Sequence, residues 1–119
     1  MASRQVELVV RRPGQPERRM LLGPGVTYMG RAEDNDLVLP DIGVSRRHAK
    51  IEVSGPKVTF EDLGSGNGSF RRGDQITAIT ISDGDEVVIE PFTLVFRIQA
   101  LAVGGMPSLE DDETMRAPP

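Results

Sequence analysis

Lys50-Ile51-Glu52-Val53 and Lys57-Val58-Thr59-Phe60-Glu61, separated by Ser54-Gly55-Pro56, alternate polar and apolar side chains on either side of a turn. A period of two places the apolar members on one face of a strand and leaves the other face wet. Short apolar runs of the same kind recur on both sides, at residues 6–10, 19–22, 26–29, 37–39, 76–81, 86–89 and 93–98. Their lengths are those of strands, and no stretch before residue 98 keeps a 3.6-residue period for three turns. Between them stand Pro13-Gly14, Gly23-Pro24-Gly25, Asn67-Gly68, Arg72-Gly73-Asp74 and Asp83-Gly84, all turn formers. Turns at roughly 8–12-residue spacing indicate an all-β sandwich.

The 119 residues suit one domain. The chain has no cysteine and one histidine, His48, which excludes disulfide staples, thiolate chemistry, Cys-based zinc sites and a two-His metal site. A net charge of -4 argues against a bulk nucleic-acid or anionic-membrane binder, and one Tyr, four Phe and no Trp leave little to stack bases. No apolar run is long enough to span a bilayer as a helix, and the opening MASRQVELVVRRPGQ lacks a signal-peptide core, so a soluble cytoplasmic protein is expected. Charge is uneven along the chain. Residues 1–98 carry 13 Lys+Arg against 14 Asp+Glu, whereas residues 99–119 set Arg116 against Glu110, Asp111, Asp112 and Glu113. The end of the chain mixes Gly, Pro, Ser and acids with few large apolar side chains to offset the entropy of ordering. We therefore expect a folded domain over residues 1–100 and a disordered acidic tail over 101–119.

Twelve of the fourteen basic residues are arginine. A guanidinium presents a planar fork of donors matched to phosphate or carboxylate. Outside the strands the arginines gather in loops: Arg31 after Gly30, Arg46-Arg47 after Ser45, and Arg71-Arg72. The run Gly64-Ser65-Gly66-Asn67-Gly68-Ser69 resembles a phosphate-cradling loop, but it lacks the Gly-Lys-Ser/Thr ending of a P-loop and has no dinucleotide fingerprint. Asn-Gly is equally the signal of a plain hairpin. Ser45 and His48 do not make a hydrolase, because no Gly-x-Ser-x-Gly elbow or orienting acid accompanies them. His48 is read as scaffold, one ring nitrogen holding loop backbone or the Ser45 hydroxyl.

Gly30-Arg31, then Ser45-Arg46-Arg47-His48, then Asp62-Leu63-Gly64-Ser65-Gly66-Asn67-Gly68, with Asn35-Asp36-Leu37-Val38-Leu39 and Ile81-Ser82-Asp83-Gly84-Asp85 in register, resemble the forkhead-associated (FHA) domain family. The likeness runs from about Val6 to about Ile98. It implies an eleven-stranded antiparallel β-sandwich whose loops at one end bind phosphothreonine in a partner protein, with no cofactor, metal or catalysis. Simple up-and-down hairpins would send the Arg31 and Ser45 loops to opposite ends, so their convergence is an implication of the resemblance alone.

Residue by residue, the resemblance implies that Arg31 makes the charge-assisted phosphate contact, Ser45 donates its hydroxyl and Arg46 reaches the phosphate. Asn67 bonds the peptide backbone or braces the loops, and Gly30, His48 and Gly68 support the site. Two positions depart from the family pattern. Gly66 stands where many members have Thr, leaving only its amide to offer. Arg72, before Gly73, stands where a second Asn is common. Gly43, Val44, Arg71 and Arg72 are candidates for flanking specificity. The implied partner is a phosphothreonine protein, a Ser/Thr kinase or its substrate. Thr114, among acids in the tail, is a candidate phosphoacceptor through which the chain would capture its own tail or a neighbour's. The contrasting expectation is a scaffold that associates independently of phosphorylation.

Overall fold

The computed structural model describes residues 3–101. Eleven strands follow in chain order: β1 Ser3–Arg11, β2 Arg18–Leu22, β3 Gly25–Gly30, β4 Leu37–Val38, β5 Ala49–Ser54, β6 Lys57–Asp62, β7 Ser69–Arg71, β8 Asp74–Ile76, β9 Ala78–Thr80, β10 Glu86–Ile89 and β11 Phe92–Leu101. They form a six-stranded sheet in the order β2-β1-β11-β10-β7-β8 and a five-stranded sheet in the order β4-β3-β5-β6-β9. This is the expected all-β sandwich. The described residues contain no helix, and hence none long and apolar enough to cross a membrane. The acidic tail beyond residue 101, Thr114 included, lies outside the described residues.

Alternation along the strands builds the core. Val6, Leu8 and Val10 of β1 and Leu94, Phe96 and Ile98 of β11 face Met29, Ile51, Val53, Val58 and Phe60 from the other sheet, all buried in one cluster. The opening pair of runs is indeed a hairpin, with Ile51 opposite Phe60 and Val53 opposite Val58, so apolar side chains share a face.

Three expectations need correction. The run at 76–81 is not one strand, because the chain leaves the six-stranded sheet after Ile76 and enters the other at Ala78. The Thr77 carbonyl at this crossing accepts from the Asp62 N–H at 2.7 Å, so the step between sheets is hydrogen-bonded. Asn67-Gly68 is not a hairpin turn, since it joins β6 of one sheet to β7 of the other. Finally, the sandwich is not wholly antiparallel. β4 runs parallel to β3, with Met29 opposite Leu37 and Gly30 opposite Val38, while the other pairings are antiparallel.

Candidate functional site

The short parallel pair determines where the loops go. With β4 alongside β3 in the same direction, β5 returns antiparallel to β3 and starts beside its end, Ala49 opposite Met29. The end of β6 arrives at the same place, Asp62 opposite Ala49. Loops 31–36, 39–48 and 63–68 therefore meet at one end of the sandwich. The first two are in backbone contact, the Arg31 N–H donating to the Ser45 carbonyl at 3.0 Å and the Ala32 N–H to the Arg46 carbonyl at 3.1 Å. Gly30 permits this approach: a Cβ there would fall on the Arg46 carbonyl and within 2.9 Å of Arg47 Cα.

Arg31 is exposed, and its Nε donates to the Val44 carbonyl at 3.0 Å. That bond fixes the root of the guanidinium, and among the described residues its terminal nitrogens have no hydrogen-bond partner. Arg11, Arg12, Arg19, Arg47 and Arg71 each pair with a carboxylate, whereas among the described residues none pairs with Arg31 or Arg46. Ser45 Oγ accepts from the Gly66 N–H at 3.0 Å, so the hydroxyl proton remains free to donate elsewhere. Asn67 Nδ2 donates to the Gly43 carbonyl at 2.8 Å, tying loop 63–68 to loop 39–48. The result is an oriented, uncompensated guanidinium beside a hydroxyl donor on a polar rim, which is the donor set for an oxyanion.

A buried polar cluster holds these loops from behind. His48 is fully buried; its Nδ1 accepts from the Ser45 N–H at 3.1 Å and its Nε2 donates to the Gly68 carbonyl at 3.0 Å. Both bonds require the neutral ring with the proton on Nε2. Asp62 Oδ2 accepts from the hydroxyls of Ser65 and Ser69, each at 2.6 Å, and Oδ1 from the Ser65 N–H at 2.8 Å. Ser65 Oγ in turn accepts from the Gly68 N–H at 2.9 Å. Gly68 needs its own identity, with φ at +87°.

Burial lowers the His48 pKa from its ordinary value, opposed by its bond to Gly68 and the charge of Asp62. For Asp62 burial alone acts upward, but the hydrogen bonds from Ser65 and Ser69 and the proximity of His48 outweigh it and hold the carboxyl below its ordinary value. Both shifts have the same consequence in acid. His48 binds its proton more readily in the unfolded chain, so stability falls as pH drops from about 6.5 toward the folded-state pKa. The Asp62 contribution is present above about 3.9 and is lost as pH falls further, through its depressed folded-state pKa. His48 is the sole histidine, so the first window is assignable. Urea unfolding from pH 7 to 5 should show falling stability, and His48→Asn should flatten that slope; an unchanged slope in the variant would refute the assignment.

The structure brings Gly30, Arg31, Ser45, His48, Gly66, Asn67 and Gly68 together at one end, a convergence that only the family resemblance implied, with Arg46 exposed beside Ser45. Asn67 is seen bracing, and His48 holds the Ser45 backbone rather than its hydroxyl. The Gly66 amide, expected to be available to a ligand, is engaged by Ser45. Val44 is 1% exposed, so its side chain belongs to the core and only its carbonyl serves the site. Gly43 likewise contributes a carbonyl. Arg71 and Arg72 stand apart. Arg71 reaches Asp85 at 3.6 Å, and both arginines line a cavity of about 360 Å³ with Gly84, Asp85 and Glu86. That is the far end of β10 from Glu90, whose carbonyl lies by Gly43. Arg71 and Arg72 are thus not among the residues gathered at the Arg31 rim.

Sequence reading missed three supports. Asn35 is buried, and its Nδ2 donates to the carbonyls of Ala32 and Arg46 at 2.8 and 2.7 Å, bridging two loops. Arg12 donates to Asp41 Oδ1 at 2.8 Å, and Asp41 Oδ2 accepts from the Gly43 N–H at 2.8 Å. Asp41-x-Gly43, like Asp62-x-x-Ser65, carries the local signal of an acid capping a turn, whereas the Arg12 bond to Asp41 spans 29 residues. Among the described residues no group of three His, Cys, Asp or Glu side chains is placed to hold a metal.

A profile of the FHA domain matches residues 27–90, which begin in β3 and end after β10. The glycogen accumulation regulator GarA of Mycolicibacterium smegmatis is 39% identical over 89 residues, covering 75% of this chain and 56% of that protein. The chain thus spans little more than half the length of this relative. A structure solved for phosphothreonine-dependent FHA domain interactions superposes with a TM-score of 0.72 at 30% identity, covering 78% of this chain and 95% of that one. Mycobacterium tuberculosis EmbR in complex with a low affinity phosphopeptide gives a TM-score of 0.70 at 33% identity, covering 82% of this chain and 26% of that one. Because the profile takes in more than half of the 119 residues, and all three loops that meet at the Arg31 rim fall inside it, this chain belongs to the FHA domain family.

Proposed function

We propose that the loop end is a phosphothreonine-dependent binding site for a protein phosphorylated by a Ser/Thr kinase, and that the domain acts as a signalling adaptor without catalysis of its own. The observation that carries this reading is the Arg31 guanidinium, anchored through Nε to the Val44 carbonyl, free at its terminal nitrogens and without a carboxylate partner among the described residues. A phosphothreonine brings about -1.5 to -2 charges and three strong acceptor oxygens. Arg31 supplies charge and direction, Ser45 a hydroxyl donor, and Arg46 a second, mobile charge. Asn67 keeps the two outer loops in register. The phosphothreonine-dependent interactions of one similar structure and the phosphopeptide bound to another support the same chemistry here. Titration of matched phosphothreonine, phosphoserine and unmodified peptides into the protein tests it. Binding confined to the phosphorylated forms and weakening with salt is expected, and equal affinity for phosphorylated and unmodified peptides rejects the proposal.

Thr114 enters as a phosphoacceptor captured by a neighbouring copy. β11 ends at Leu101 opposite Ser3, while Arg12, just after β1, touches the site loop through Asp41. The strand end therefore stands about 30 Å from the loops. A random coil of thirteen residues has a typical span of ~20 Å and a limit of ~45 Å, so spanning the distance from Leu101 to the chain's own site takes about one and a half times the typical span and favours capture by a neighbour. Phosphorylation at Thr114 is expected to give concentration-dependent oligomers in sedimentation. A monomer with an open site at all concentrations would remove this idea.

A further inference from the structure

Residues 40–44 belong to neither sheet, yet the carbonyls that anchor Asn67 and Arg31 are those of Gly43 and Val44. The backbone bonds of this segment are local, the Asp41 N–H donating to the Leu39 carbonyl at 2.9 Å and the Val44 N–H to the Asp41 carbonyl at 3.0 Å. Its hydrogen bonds to the β1–β2 connection come from one side chain. Arg12 donates through Nη2 to Asp41 Oδ1 at 2.8 Å and through Nη1 to the Pro40 carbonyl at 3.3 Å. The second carboxylate oxygen, Asp41 Oδ2, accepts from the Gly43 N–H at 2.8 Å. The Arg12 guanidinium itself lies 5.0 Å from the centre of the Phe92 ring, which is buried and part of the core cluster. Contacts thus run without a break from the core through Phe92, Arg12 and Asp41 to the two anchoring carbonyls. Arg12 and Phe92 both fall outside the segment 27–90 that matches the family profile, so the family pattern gives neither of them a part in the site.

We infer that Arg12 is a positioning residue for phosphothreonine binding, which clamps Asp41 and so holds the Gly43 and Val44 carbonyls where they orient Asn67 and Arg31. The inference rests on the proposed phosphothreonine site. Arg12 touches no ligand and acts through Asp41. A guanidinium suits the task because its planar fork reaches two acceptors while its face lies on an aromatic ring, and a lysine ammonium cannot do both at once. Without the clamp Asp41 still accepts from the Gly43 N–H, so the turn itself survives. What is lost is its fixed position against the β1–β2 connection, and Arg31 must then be ordered at the moment of binding, at the expense of affinity.

The test compares the wild type, Arg12→Ala, Arg12→Lys and Val53→Ala as full chains, by titration with an alanine-flanked phosphothreonine peptide and by NMR hydrogen exchange of the Arg31 Nε–H in the free protein. Val53 is a core residue opposite Gly25, at the other end of the sandwich, so its truncation destabilises the fold without touching these loops. Arg12→Ala should weaken the peptide about tenfold and Arg12→Lys, which keeps the charge and loses the fork, about fivefold. Exchange of the Arg31 Nε–H should quicken in the same order. Loss of a positive charge by itself slows base-catalysed exchange, so quickening reports the loosened bond to the Val44 carbonyl. Val53→Ala should leave both readouts within about twofold of wild type. Unchanged exchange in Arg12→Ala, or full affinity in Arg12→Lys, overturns the inference, the second because charge alone would then suffice. So does a Val53→Ala protein that reproduces both effects, since general loss of stability would account for them. Failure of the phosphothreonine reading looks different: the phosphopeptide would bind wild type no better than its unmodified counterpart, while Arg31 exchange in the free protein would still report the clamp.

Discussion

Arg31→Ala weakens binding of a phosphothreonine peptide at least about tenfold, and Arg31→Lys recovers only part of the loss. A hydrogen bond to a charged group contributes about 1.5–3 kcal/mol, and RT ln 10 is about 1.4 kcal/mol, so loss of a single such contact already gives the lower bound. The guanidinium of Arg31 has more to lose than one contact, because its Nε is spent on the Val44 carbonyl and both terminal nitrogens remain for the phosphate. Lysine keeps a charge but has no second donor set with which to hold Val44 while reaching outward, so it returns as a mobile point charge. Arg31 is exposed and without an ion-pair partner among the described residues, so the fold should be nearly indifferent to its removal, within about 0.5 kcal/mol. Calorimetric titration with phosphorylated and unmodified peptides, beside urea unfolding of the same variants, separates the two effects. Unchanged phosphopeptide affinity in Arg31→Ala would end the proposed function.

Gly30→Ala should cost about 2–3 kcal/mol in folding stability and disable peptide binding with it. The added methyl would occupy the position of the Arg46 carbonyl, which cannot retreat easily: it accepts from the Ala32 N–H and from Asn35 Nδ2. Moving it breaks bonds on both loops, and overpacking of this kind typically costs 1–3 kcal/mol before those losses are counted. The Gly30 side has as little freedom, since its carbonyl accepts from the Leu39 N–H at 2.8 Å in the parallel β3–β4 pair. Gly66→Ala is the internal comparison. A Cβ there meets only Ser45 Oγ, at 3.9 Å, an ordinary contact, so its stability should stay within about 0.5 kcal/mol of wild type. Urea unfolding of both variants decides, and equal stabilities would show that the close approach at Gly30 is not a constraint.

The two glycines differ in legibility as well as in cost. Gly30 stands out in sequence only through the Gly-Arg pattern, yet its reason is a backbone carbonyl sixteen residues away, invisible to any local rule. His48 was recognised as scaffold because one serine and one histidine do not make a catalytic set, but its two bonds, to the Ser45 N–H and the Gly68 carbonyl, connect loops from different parts of the chain. Gly43 and Val44 offer carbonyls to Asn67 and Arg31, and sequence says that a residue lies in a loop but not which way its carbonyl faces. Ile42, just before them, is 95% exposed, whereas an isoleucine by its type reads as core. Arg71 and Arg72 follow the glycine-rich loop closely in sequence, yet the three residues of β7 carry them toward Asp85.

The sequence alone determined what local physics can specify: strands from two-residue alternation, turns from glycine, proline and asparagine, an all-β sandwich from their spacing, and the arginine, serine and asparagine that a family pattern marks out. Tertiary structure alone decided where those residues meet. A two-residue parallel pairing of β4 with β3 reverses the direction in which β5 must run, and that brings three loops to one rim. Strand pairing is a contact between segments distant in the chain, its energy set by partners that no local window contains, so alternation could announce the strands without saying which neighbours they would choose.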